Sequence, residues 1–90
     1  MALVSFNGDP QRGHGIINDH INTPGSGINH NSRVVASITE LTDPGGRPFL
    51  GDASLSVLSV APNDDGTVDL KININWGSDL NYRVSILADT

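Results

Sequence analysis

Three histidines, His14, His20 and His30, are the first residues whose chemistry invites a function, because imidazole binds metals and moves protons near neutral pH. Their spacings of six and ten put no two on one face of a strand or helix at i, i+2 or i, i+4. Asp9 or Asp19 completes a ligand set only if separate loops converge. In a segment this rich in Gly and Asn, the simpler expectation is solvated or hydrogen-bonded loop histidines, with no metal or other cofactor. Asn63-Asp64-Asp65-Gly66 looks like a calcium loop until it is aligned. With Gly66 at the sixth position of an EF-hand, Ala61 falls first and Ile72 twelfth, where carboxylates are required. A solvated hairpin tip is expected instead. Hydrolysis needs a nucleophile beside a base, or two carboxylates at a set separation. No Gly-x-Ser-x-Gly elbow is present, Gly13-His14-Gly15 and Gly25-Ser26-Gly27 match no phosphate-binding fingerprint, and most aspartates sit in turn-forming company. The chain reads as a non-enzyme, and a small loop-built enzyme around His14, His20 and Asp19 is the weakest reading.

Trp76 is different. It is the single tryptophan, it closes the most regular strand pattern, and a polar loop follows it. An indole at a strand end can stack on the apolar face of a sugar ring while nearby polar groups meet the hydroxyls. The competing reading is that Trp76, on the apolar parity, simply closes the end of the core.

These residues must be positioned by strands. Val68, Leu70, Ile72, Ile74 and Trp76 share one parity, while Thr67, Asp69, Lys71, Asn73 and Asn75 share the other. Side chains alternate across a strand, so 67–76 has one apolar and one wet face. Tyr82, Val84, Ile86 and Ala88 alternate with Arg83 and Ser85, and Ala53, Leu55 and Val57 with Ser54 and Ser56. Pro62-Asn63-Asp64-Asp65-Gly66 and Gly77-Ser78-Asp79-Leu80-Asn81 read as short connections. A three-stranded antiparallel meander over 53–61, 67–76 and 82–88 is predicted. Its greasy side needs a cover, supplied by a strand through Val34, Ala36, Ile38 and Leu41 and by another from Ala2 to Phe6. Glu40, the single glutamate, reads as lying on a polar parity of the former. Thr42 to Pro48 breaks the chain with two prolines and two glycines. Residues 7–32 hold five of the ten glycines and all three histidines, with room for one short strand at Ile16-Ile17. No helix of ten or more residues is suggested.

The 90 residues make one domain, a Gly/Asn/His-rich part over 1–32 and a strand core over 33–90. Leu, Ile, Val and Phe supply 25 of them, enough for a core. Ten acidic against five basic residues give a net charge of −5, and the cations are scattered. Nucleic acid and anionic membrane surfaces are therefore poor partners. No apolar run is long enough to insert into a membrane. The absence of cysteine excludes disulfides and thiol chemistry. The N-terminus lacks the basic start and apolar run of a signal peptide, and localisation is left open. A domain this small without staples invites self-association.

Val34-Val35-Ala36-Ser37-Ile38-Thr39-Glu40-Leu41, then Ser59-Val60-Ala61-Pro62, then Trp76 with Tyr82 six residues on, then Val84-Ser85-Ile86, resembles the H-type lectin domain in order and spacing. The resemblance runs over roughly 33–89. It implies an all-β, six-stranded antiparallel β-sandwich that assembles as a homotrimer. It also implies binding of N-acetylgalactosamine or a related glycan in shallow sites near protomer junctions, where multivalency builds avidity. Trp76 and Tyr82 match the family's strand-end tryptophan and following tyrosine. Gly77 stands where family members carry a sugar-contacting histidine, and Asp52 where they carry an arginine. Asp9-Pro10-Gln11-Arg12-Gly13 echoes the family's N-terminal sugar loop. The expected site is Trp76 as the stacking platform, with Gly77, Asp79, Tyr82, Asp52, Asp9 and Arg12 around it. The alternative is an assembly module of an oligomeric fibre or virion-type protein on the same fold, without sugar.

Overall fold

A computed structural model describes residues 3–43 and 46–90. The expected strand start at Ala2, and Pro44 and Gly45 of the chain break, lie outside the described residues. Seven strands run in the order β1 (Leu3–Asn7), β2 (Gln11–Gly13), β3 (Gly15–Asn22), β4 (Arg33–Leu41), β5 (Ser54–Pro62), β6 (Thr67–Asn75) and β7 (Leu80–Asp89). All pairings are antiparallel, and no helix occurs among the described residues.

The two strongest alternating patterns become the centres of two layers. β6 is flanked by β3 and β5; β7 is flanked by β4 on one side and by β1 and β2 on the other. Val68, Leu70, Ile72 and Ile74 of β6 are buried with Tyr82, Val84, Ile86 and Ala88 of β7 in one cluster. Residues Val4, Phe6, Ile17, Ile21, Val34, Ala36, Ile38, Leu55, Val57 and Val60 close around it. Each fully buried Ile or Val contributes about 1.5–3 kcal/mol over its exposed state.

This arrangement corrects the predicted meander. The hairpin β5–β6 forms, from Ser54 opposite Asn75 to Pro62 opposite Val68. β7, however, does not pair with β6 but crosses into the other layer. The reason is the pattern itself: both strands carry an uninterrupted apolar face, and facing each other across the core buries both at once. At the β5–β6 tip Gly66 adopts φ +81°, a conformation that favours glycine. A bulge between Val57 and Ser59 leaves Leu58 exposed.

The first strand is split. Gly8 donates its amide to the Val84 carbonyl at 2.7 Å, and a Cβ at Gly8 would sit 2.5 Å from that oxygen. Only glycine allows this approach, and Pro10 then lacks the N–H to continue the ladder. β1 and β2 thus lie one after the other along a single edge of β7.

Three local expectations change. The short strand at Ile16-Ile17 is eight residues long, because Ile17 and Ile21 turn inward beside β6 while Ile16 faces out. Thr67, expected on the wet face, is buried, and its hydroxyl donates to Asp65 Oδ1 at 2.5 Å. Glu40 pairs in register with the buried Tyr82 and therefore shares the inward parity of Val34, Ala36 and Ile38. Its charge had suggested the opposite face.

Candidate functional site

Strand register collects most of the expected site at one end of the sandwich. β6 ends at Asn75 opposite Ser54, β7 begins at Leu80 opposite Gly13, and Leu41 of β4 lies opposite Asn81. The corners Gly13-His14-Gly15 and Trp76-Gly77-Ser78-Asp79 meet there. The meeting is fixed by His14, whose Nδ1 donates to Asp79 Oδ1 at 2.6 Å with both side chains about half exposed.

Trp76 stands just past β6, its amide donating to the Ile74 carbonyl at 2.9 Å, which turns the chain out of the strand. The side chain is 45% exposed, so it does not close the core despite its parity. Around Gly77 there is open space: no atom would touch a Cβ built on it within 4 Å. Asp52 is exposed two residues before β5, and Arg12 is exposed on β2 opposite Asn81. Register thus places an aromatic ring, two carboxylates, an imidazole and a guanidinium at this end of the sheets, with His14 and Asp79 in direct contact. That is a chemistry for hydroxyl-rich ligands with one apolar face.

Tyr82 does a different job from a contact residue. It is 2% exposed and its hydroxyl donates to Gln11 Oε1 at 3.1 Å. Gln11 in turn donates to Asp19 Oδ2 at 3.1 Å, so Tyr82 ties β7 to β2 and β3 beneath the surface. Burial, with the Asp19 carboxylate as a smaller cause, pushes the Tyr82 phenol above its usual value. Asp9 is not brought to Trp76. It lines a separate cleft of about 320 Å³ with Asn7, Gln11, His20 and Asn22. His20 pairs with Asp69, seven residues before Trp76, which is roughly 20 Å along a strand.

Sequence reading missed His14 as a member of this end. Its flanking glycines mark a corner, but its partner is 65 residues away. It also missed Phe49 and Leu50, both exposed, carried to the same end by the bond from the Phe49 amide to the Glu40 carbonyl. A large apolar pair directly after Pro48, with no alternation around it, was the available signal.

The other histidines are likewise paired. His20 Nδ1 donates to Asp69 Oδ1 and His30 Nδ1 to Asp64 Oδ1, each at 2.6 Å. The hydrogen bond to Asp69, reinforced by the charges of Asp69, Asp65 and Asp19, holds the His20 imidazole above its ordinary 6.5. In return His20, then Asn63, holds the Asp69 carboxyl below its ordinary value. The His30 amide and side chain do the same for Asp64. Among the described residues no group of three or more His, Cys, Asp or Glu is placed to hold a metal ion.

No family model, curated protein or solved structure matches the chain.

Proposed function

We propose that this protein is a non-enzymatic carbohydrate-binding module on an H-type-lectin-like β-sandwich, made multivalent as a homotrimer. The observation that carries the reading is the half-exposed indole of Trp76, held at a strand end beside the His14–Asp79 pair and open space at Gly77. The layer pattern is consistent with the family: counting β1 and β2 as one interrupted strand gives three lanes in each layer. Trp76 stacks on the sugar ring, His14, Asp79, Asp52 and Arg12 exchange hydrogen bonds with hydroxyls, and Tyr82 anchors β2 through Gln11. The glycan class extends from N-acetylgalactosamine to related sugars, because Gly77 and Asp52 replace a histidine and an arginine of the family pattern.

Self-association is supported by the outer face of the β7 sheet. Leu3, Val35 and Leu87 are exposed there, with Val35 directly opposite Leu87 across the β4–β7 ladder. The same strip favours the second reading, an assembly module of a fibre or virion-type protein, if no sugar binds. A glycan array with parent protein and Trp76→Ala decides. The account expects retention of at least one galactose-type or related glycan by the parent, and about a tenfold or larger loss in the variant. A broad panel with no ligand, beside a stable trimer in ultracentrifugation, selects the assembly module.

A further inference from the structure

Asn7 is the only asparagine in the chain that precedes a glycine, the pair in which an asparagine side chain closes most readily on its own backbone. Glycine brings no side chain to hinder that approach, and its main chain rotates freely. The fold denies the freedom here. Asn7 ends β1 opposite Ser85, and its Oδ1 accepts the Ser85 hydroxyl at 2.9 Å on the outer face. The Gly8 amide, the group that would attack, donates to the Val84 carbonyl at 2.7 Å. β1 is nevertheless an edge strand. It pairs with β7 alone, and Val4 and Phe6 are only partly buried against the core. A short edge with few buried contacts opens at a lower free-energy cost than the central ladder.

We infer that Asn7 is a site of spontaneous deamidation, and that release of β1 from β7 is the gate that sets its rate. In the released strand the Gly8 nitrogen gives up its proton to water or hydroxide, and its electron pair bonds to Asn7 Cγ. The side-chain nitrogen takes up a proton and leaves as ammonia, which closes a succinimide ring. Water then opens the ring. Cleavage of the Cγ–N bond gives aspartate; cleavage between the Asn7 main-chain carbonyl carbon and the same nitrogen gives isoaspartate. In the paired strand two conditions fail together. The amide proton is committed to Val84, and the extended Asn7 backbone holds Cγ away from the Gly8 nitrogen. The aspartyl product can dock again, since its main chain is unchanged, and it carries its carboxylate to the face that Arg83 shares with Ser85. The isoaspartyl product has an extra main-chain carbon and cannot restore both the Asn7–Ser85 register and the Gly8–Val84 bond. Asp65-Gly66, the single Asp-Gly pair, is a weaker candidate, because its carboxylate is an anion already held by the Thr67 amide and hydroxyl.

The test is peptide mapping by mass spectrometry after the whole chain has been held at mildly alkaline pH, folded or in concentrated urea, with aspartate and isoaspartate separated by chromatography. In urea, Asn7 should convert ahead of every other asparagine and give both products. In the folded protein its conversion should be at least about tenfold slower. Val4→Ala loosens β1 without touching the reacting atoms. It should raise the folded rate about threefold or more and leave the urea rate unchanged. Ser85→Ala, which removes the hydroxyl from Asn7 Oδ1, should raise the folded rate by about twofold to tenfold. If Val4→Ala does not fold, Ser85→Ala decides, because the bond it removes is exposed. Equal rates with and without urea, another asparagine converting first in urea, or a folded rate that neither variant changes would overturn the proposal.

Discussion

The N-terminal third of the molecule and the strands after Arg33 are held in place by different physics. β6 and β7 are fixed by burial: eight apolar residues from two alternating strands face one another, and no polar atom is needed between them. Residues 3–32 contribute one fully buried core side chain, Ile28, with Val4, Phe6, Ile17 and Ile21 packed against the cluster, and are tied down further by side-chain hydrogen bonds. His14, His20 and His30 reach Asp79, Asp69 and Asp64 respectively. Thr23 donates through its hydroxyl to the Gly66 carbonyl and shares a 3.0 Å bond with Ser26, whose oxygen then receives the Ile28 amide at 3.1 Å. The lesson is that one region supplies the cohesion and the other supplies the surface. Polar clasps leave side chains such as His14 half exposed at the rim.

That contrast predicts a graded set of responses. Ile72→Ala, at the centre of the buried wall, should lower unfolding free energy by about 2–5 kcal/mol in a denaturant titration. Ile16→Ala on the outward face of β3 should stay within about 0.5 kcal/mol. If the two cost the same, the division between wall and surface fails. Thr23→Val keeps the volume but leaves Gly66 and Ser26 without their buried partner, and should cost about 1–3 kcal/mol by the same measurement. Trp76→Ala should cost no more than about 2 kcal/mol, because only about half of its indole is covered. A large loss would return Trp76 to the core.

The smallest effect is electrostatic and depends on pH. His20 has a folded pKa above its unfolded 6.5, so its contribution is complete below 6.5 and disappears as pH rises through the folded value. Asp69 has a folded pKa below its unfolded 3.8, so its contribution is present above 3.8 and is lost as pH falls through the folded value. The clasp is therefore strongest between those limits. An NMR titration of the His20 ring should give a midpoint above 6.5, moving back toward 6.5 in Asp69→Asn. An unchanged midpoint would detach His20 from Asp69.

How much was legible in the sequence follows the same line. Alternation is local, so the strands at 67–76 and 82–88 and their inward faces were readable from residue types alone. Pairing is not local: nothing in the Gly77 to Asn81 connection says whether the chain folds back beside β6 or crosses to the opposite layer. The histidine pairs span 34, 49 and 65 residues, beyond any spacing rule. Glu40 was misread because its charge outweighed its parity, and its place opposite the buried Tyr82 is visible only in three dimensions. Trp76 presents the reverse case. Its parity argued for the core, while the turn after Ile74 lifts it out.

A single tryptophan makes intrinsic fluorescence a direct probe of the sugar-binding account, because red-edge excitation, which Tyr82 does not absorb, reports on Trp76 alone. The measurement is acrylamide quenching of the native protein, with and without a glycan retained on the array. The account predicts the red-shifted, readily quenched emission of a solvated indole, with a saturable change and loss of quenching as the glycan binds. Blue-shifted emission that resists quenching, or a bound glycan that leaves the indole as accessible as before, would contradict it.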